Sequence, residues 1–168
     1  MPDPQLESFN TEPAERAEEV LRACNAAPSF AAAVAAGRPY PDADALVTRA
    51  EEVSRALPWE EVAAALAAHP RIGDRVAGSS AEAAASRQEQ SGMGAADAEL
   101  RAAVVDGNRA YEELFDQVFL VRAAGRSAAE MLAELRRRLE NSPEDERAEV
   151  TEQLAQITGL RVRGIVTP

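Results

Sequence analysis

Three groups of polar residues have the types and spacing for proton transfer and anion recognition. They are His69 with Pro70, the trio Ser86, Glu89 and Gln90, and Arg161. His69 is the only histidine in the chain, so one imidazole carries the side-chain proton chemistry ordinarily available near neutral pH. It follows a run in which Trp59, Val62, Ala63 and Leu66 recur at helical spacing, and Pro70 turns its predecessor away from the helical region. The pattern predicts a helix ending at His69, where unpaired carbonyls favour a protonated ring able to act as a donor. A structural cap would occupy the same position, and residue type alone does not choose between the two.

Ser86, Glu89 and Gln90 are three and four residues apart, which places a carboxylate and two neutral hydrogen-bonding groups on one helix face. That set suits a ureido or amide group, with its paired N–H donors and carbonyl acceptor. It equally suits a solvated surface. Near the C-terminus, Val150, Leu154, Ile157 and Arg161 advance in steps of four, three and four, so Arg161 shares the apolar stripe. A guanidinium there needs an acceptor, and an anionic ligand held in a bidentate fork is one. A final exposed turn, with arginine complementing the helix dipole, is the alternative.

Composition narrows the chemistry. All 18 basic residues are arginine; without lysine no Schiff base to a carbonyl substrate or to pyridoxal phosphate can form. Carbanion chemistry would then need an electron sink in the substrate or in another cofactor. One cysteine, Cys24, and one histidine cannot build a disulfide or a zinc cluster, so no structural metal is expected. A net charge of −11 disfavours nucleic acid and anionic membrane as partners. The start of the chain lacks the basic and apolar regions of a secretory signal, no run approaches a membrane span, and the last residues lack a peroxisomal ending. The expected compartment is the cytoplasm.

The elements that must position these groups read as helices nearly throughout. With 168 residues, an all-α, single compact bundle of about eight helices, one domain over residues 1–168, is expected. The first helix is placed after Asn10 or Thr11 with Pro13 in its first turn. A short one runs from Ser29 to Ala36, a third follows Asp42, and a fourth ends at His69. Ser79 or Ser80 caps the next, which carries Ser86, Glu89 and Gln90 and is closed by Gly92 and Gly94. A longer helix spans about Asp97 to Phe115, and the short run from Val118 to Val121 is read as extended. Ser127 and Glu130 form a capping-box pattern for a helix to about Glu140, and Ser142-Pro143 opens the last.

The sequence resembles the 2-oxo-4-hydroxy-4-carboxy-5-ureidoimidazoline (OHCU) decarboxylases over nearly its whole length. The resemblance begins at Phe9-Asn10 and Leu21-Arg22-Ala23-Cys24 and continues through Gly37-Arg38-Pro39-Tyr40. It includes His69-Pro70-Arg71-Ile72-Gly73-Asp74 and Ser86-Arg87-Gln88-Glu89-Gln90-Ser91-Gly92, then Asn108-Arg109-Ala110-Tyr111 with Phe115. Phe119-Leu120-Val121, Glu130-Met131-Leu132 and Ile157-Thr158-Gly159-Leu160-Arg161 complete it. The histidine motif and the Ser-x-x-Glu-Gln-x-Gly motif, in this order, carry its specificity.

The resemblance implies an all-helical, cofactor-free enzyme, commonly a homodimer, that forms (S)-allantoin in urate degradation from a small anionic ureidoimidazoline. It further implies that His69 is the proton donor beside Pro70, with Glu89 as its catalytic companion. Ser86, Arg87, Gln88, Glu89 and Gln90, the backbone of Phe119, Leu120, Val121, Arg122 and Ala123, and Arg161 would bind substrate. At Asp116 the chain departs from the family's usual glycine, which predicts an altered approach to the segment that follows. A non-catalytic acidic scaffold or partner-binding bundle also accounts for the charge and the helices. It gives no reason for an arginine on an apolar stripe.

Overall fold

Short polar side chains at the helix starts explain much of the chain's division into elements. In the computed structural model, which describes residues 3–73, 81–94 and 98–167, Asp3 accepts from the Gln5 N–H at 2.8 Å and opens α1 (Pro4–Thr11). A break at Glu12 follows, because a residue before proline avoids the helical region; Glu12 is extended at ψ 158°. The next helix, α2, is Ala14–Arg22. Asn10 and Thr11 therefore end one helix rather than capping the first, and Pro13 precedes α2 rather than lying in its first turn. The missed signal was Asp3-Pro4, a cap followed by proline at the first helical position.

The chain continues with α3 (Phe30–Ala35), α4 (Ala43–Arg55), α5 (Trp59–Leu66), α6 (Ala81–Glu89) and α7 (Ser91–Gly94). The last three are α8 (Ala98–Phe115), α9 (Ala128–Arg138) and α10 (Pro143–Val166). The architecture is all-α, with ten helices and no strand among the described residues. Asp42 caps α4 through the Ala45 N–H at 2.7 Å, and Ser127 with Glu130 forms the expected capping box of α9. Ser142 accepts from the Asp145 N–H at 3.1 Å at the head of α10. Ser79, Ser80, Asp97 and Asp74, which were assigned to caps, a helix start and the histidine motif, lie outside the described residues.

Two expected ends move. Helix α5 stops at Leu66, and the His69 N–H closes a tighter turn onto the Leu66 carbonyl at 3.0 Å, so His69 stands just past the helix. Gly92 and Gly94 lie within the short helix α7 instead of ending α6. A side chain at Gly92 would collide with the backbone carbonyl of Arg126, which makes close approach of two backbones its reason for being glycine.

The chain divides into two compact units, Met1–Ala65 with Leu154–Pro168, and Leu66–Gln153. In the first, two motifs lock together. The Asn10 amide donates to the Tyr40 carbonyl at 2.9 Å and its oxygen accepts from the Tyr40 N–H at 2.8 Å. The Tyr40 hydroxyl donates to the Val34 carbonyl at 2.6 Å, and Arg38 donates to the carbonyls of Phe9 and Glu12, both at 2.8 Å. Fully buried Asn25 donates to Ser54 and Thr158 at 3.3 and 3.1 Å, while its oxygen accepts from the Ala27 N–H at 2.9 Å. Gly159 permits the contact with Glu51, whose carboxylate a Cβ would overlap.

The second unit has its own core of Ile72, Met93, Val104, Tyr111, Phe119, Val121, Ala123, Ala128, Met131, Leu132 and Leu135. Phe115 packs against it while Leu114 is exposed, which decides which of the two belongs to the inward stripe of α8.

Candidate functional site

His69 lies at the start of the second unit and is 9% exposed. The residues after it are tied down one by one. Arg71 pairs with Glu112 through Nε at 2.5 Å, the Ile72 carbonyl accepts from Asn108 Nδ2 at 2.8 Å, and the Gly73 N–H donates to Gln90 Oε1 at 3.2 Å. Asn108 and Glu112 are one helical turn apart on α8, so a single face of that helix holds two consecutive residues of the histidine motif. Ile72 itself enters the core. Gly73 adopts φ +90°, a conformation that favours glycine.

The Gly73–Gln90 hydrogen bond joins the histidine motif to the second motif. Ser86 is buried, Glu89 and Gln90 are half-buried, and Arg87 and Gln88 are exposed. The inward side therefore carries the carboxylate and the neutral hydrogen-bonding groups that their spacing predicts. Gln90 falls one residue past α6, yet its N–H still donates to the Ser86 carbonyl at 3.1 Å, so the face is preserved.

The segment from 118 to 123 forms neither helix nor strand, and Phe119, Leu120, Val121 and Ala123 are buried in it. It is reached through Asp116, which adopts φ 54° and donates its N–H to the Glu112 carbonyl at 2.9 Å. This is a left-handed helix cap, the conformation that glycine adopts most readily and that aspartate tolerates better than most residues. The departure from the family's glycine therefore leaves a left-handed turn in place before the segment.

Sequence reasoning missed the group that holds this segment. Arg138 and Glu146, both fully buried, pair at 2.5 Å. Arg138 also donates to the Leu120 carbonyl at 2.5 Å and lies over the Phe119 ring, 4.7 Å from its centroid. The Tyr111 hydroxyl donates to Glu146 at 2.5 Å, and its pKa is pushed well up by burial first and by that hydrogen bond second, so it remains a donor. Tyr111 meets Phe119 edge-on with ring centroids 5.3 Å apart. A signal was available: Met131, Leu135 and Arg138 share the buried stripe of α9, the same test that singled out Arg161.

Two buried polar atoms beside these motifs have no hydrogen-bond partner among the described residues. They are the acceptor Asn108 Oδ1 and the donor Arg122 Nε. Arg161 belongs to the first unit. It is 9% exposed, on the stripe with Val150, Leu154 and Ile157, and α10 runs on to Val166. It is thus not the frayed last turn of a helix. Among the described residues, no helix is long and apolar enough to cross a membrane.

The described residues thus form an all-helical chain whose histidine motif is hydrogen-bonded, through Gly73, to the carboxylate–amide motif at Gln90. The sequence profile described as OHCU decarboxylase matches residues 10–163, and the chain belongs to that family. A curated relative, the 2-oxo-4-hydroxy-4-carboxy-5-ureidoimidazoline decarboxylase of Amia calva, is 32% identical over 141 residues, 83% of this chain and 81% of that protein. The fold is shared with a crystal structure of OHCU decarboxylase in the presence of (S)-allantoin, at a TM-score of 0.76 and 24% identity over 90% of this chain and 99% of that one. It is shared also with (S)-allantoin synthase, at 0.70 and 15% identity, covering 96% of this chain and 54% of that one.

Proposed function

We propose that the chain is a cofactor-independent carboxy-lyase that converts OHCU to (S)-allantoin, and that residues 1–168 act as one functional domain. Family membership supports the reaction. The observation that carries the assignment of residues is the Gly73–Gln90 hydrogen bond, since it couples the histidine motif to the carboxylate–amide face.

In this reading Ser86, Glu89 and Gln90 grip the ureidoimidazoline, with Arg87 and Gln88 at the rim and Pro70 shaping the wall beside His69. They turn the substrate carboxylate out of the ring plane, so that its breaking C–C bond overlaps the neighbouring C=N system. The bonding pair moves into the substrate's own ring as carbon dioxide leaves, which removes the need for lysine or cofactor. Arg161 and the peptide groups of residues 119–123 hold the oxygen and nitrogen atoms on which charge gathers. Asn108 Oδ1 and Arg122 Nε offer one further acceptor and one further donor. His69 then protonates the new carbanion from one side, giving a single enantiomer. The protein is proposed to work in the cytoplasm as a homodimer.

The test generates OHCU from urate with the two upstream enzymes, adds the purified protein, and follows optical rotation. Optically active allantoin forming faster than spontaneous decay is the expected result. Product forming at the spontaneous rate, and racemic, removes the reading and leaves the acidic scaffold.

A further inference from the structure

The peptide segment 119–123 is bonded by two side chains far along the sequence. Arg138 donates to the Leu120 carbonyl at 2.5 Å, and Gln153 Oε1 accepts from the Arg122 N–H at 2.8 Å. Alternate residues of an extended run direct their peptide groups to the same edge. Anchoring residues 120 and 122 would then commit one edge to the protein and turn the peptide groups of residues 119 and 121 the other way. The anchor on the Arg138 side is rigid, because Glu146 holds the guanidinium at Nε and Nη2, Phe119 lies under it, and Asn141 donates to Glu146 at 3.1 Å. Buried charge of this kind is conformationally specific at a cost in desolvation.

We propose that Gln153 and the Arg138–Glu146 pair are positioning residues that set the register of residues 119–123, so that the peptide groups of Phe119 and Val121 face the substrate. This rests on the decarboxylase reading for its substrate, though not for the geometry of the anchors. Neither Gln153 nor Arg138 touches the reacting atoms. Both act through the peptide chain, and a loosened register weakens ground state and transition state alike, which raises KM without lowering kcat.

The experiment compares wild type with Gln153→Met, which keeps the length of the side chain and removes the acceptor. It measures KM, kcat, melting temperature and amide hydrogen exchange of the peptide covering residues 119–123 in the free protein. The expected result is a KM raised about tenfold, the scale of one lost hydrogen bond, with kcat within twofold, a melting temperature lowered by no more than a few degrees and faster exchange in that peptide. Unchanged KM overturns the proposal, whether or not exchange quickens. A raised KM with unchanged exchange also overturns it and makes Gln153 a direct substrate contact.

A second variant, Arg138→Met with Glu146→Leu, removes both buried charges together so that neither is stranded. If it folds, it should show the same signature, and a wild-type KM overturns the part assigned to Arg138. If it does not fold, Gln153→Met alone decides. Wild type that fails to accelerate OHCU decay defeats the decarboxylase reading instead, and the exchange arm still judges the anchors.

Discussion

The two units satisfy their interior polar groups by different means. In the first, mostly neutral side chains and backbone close on each other, Asn10 with Tyr40, Asn25 with Ser54 and Thr158, Tyr40 with Val34, and Arg38 reaches backbone carbonyls rather than a carboxylate. In the second, a fully buried ion pair, Arg138 and Glu146, sits beneath a non-helical segment, and an asparagine and a glutamine hold the chain after His69. Motifs shared with the family therefore mean different things in the two places. Phe9-Asn10 and Gly37 to Tyr40 build a fold, whereas residues 69–73, 86–90 and 119–123 are fixed by part of their polar groups in a way that suits presenting the rest to a ligand.

The sharpest way to break that contrast is His69→Asn, which keeps a polar group of similar reach and removes the proton donor. Turnover should fall by about 10²-fold or more, with loss of enantiomeric excess and an unchanged melting temperature. Near-normal production of (S)-allantoin would make the histidine a cap and the second unit as structural as the first. Next in size is Arg138→Ala, which strands the buried Glu146 carboxylate. Unfolding by denaturant should show a loss of about 3–5 kcal/mol; a loss under 1 kcal/mol would mean that water reaches the pair and that the segment above it is not rigidly held.

The counterpart in the first unit is Asn25→Ala. It deletes donors to Ser54 and Thr158 and the acceptor for the Ala27 N–H, so it should cost about 1–3 kcal/mol of stability. KM for the substrate should stay at the wild-type value. A shift in KM larger than the shift in stability would mean that the division between fold-building and ligand-presenting motifs is misplaced.

These outcomes bear on how much the sequence revealed. The helical class, the caps at Asp42, Ser127 and Ser142, and the inward placing of Arg161 were legible because each depends on local spacing or on one side chain bonding a nearby N–H. Helix α1 was hidden because its cap, Asp3, lies among prolines that read as an irregular start. The end of α5 came three residues early because proline only forbids helix before it and does not require helix up to it. Of the site, the motifs were legible and their connections were not. Nothing in the spacing of Gly73 and Gln90, or of Arg122 and Gln153, states that one bonds the other, since both pairings depend on how helices return to the segment.

A smaller effect tests the entry to segment 118–123. Asp116 is held at φ 54°, where a side chain is strained and glycine is not. Asp116→Gly should raise stability by up to about 1 kcal/mol, the relieved strain being offset in part by the greater freedom of glycine in the unfolded chain. KM should be unchanged, because the turn is already in the glycine-like conformation. A lower KM would mean instead that aspartate displaces the segment from its productive register.

The smallest expected effect concerns charge on the surface of the second unit. Arg137 pairs with Glu134 and Glu149, each at 2.5 Å, and Asn141 donates to Glu149 as well. The Arg137 guanidinium beside them holds both carboxyl groups below the usual carboxylate range. Because each titrates lower in the folded chain than in the unfolded one, their contribution is present above the ordinary carboxylate values and fades as pH falls through the lowered ones. Arg137 is half-exposed, so solvent and salt screen the pairs and Arg137→Ala should cost less than about 1 kcal/mol at neutral pH. Chemical denaturation of wild type and variant across pH should show two curves that separate at neutral pH and converge in acid. At neutral pH the Arg137→Ala deficit should be the smaller of the two, because low dielectric around Arg138 and Glu146 makes stranding one partner costly in a way that surface screening does not. Parallel curves for Arg137→Ala down to acid would place its effect in packing of the arginine stem rather than in charge, and would erase the distinction between the two neighbouring arginines.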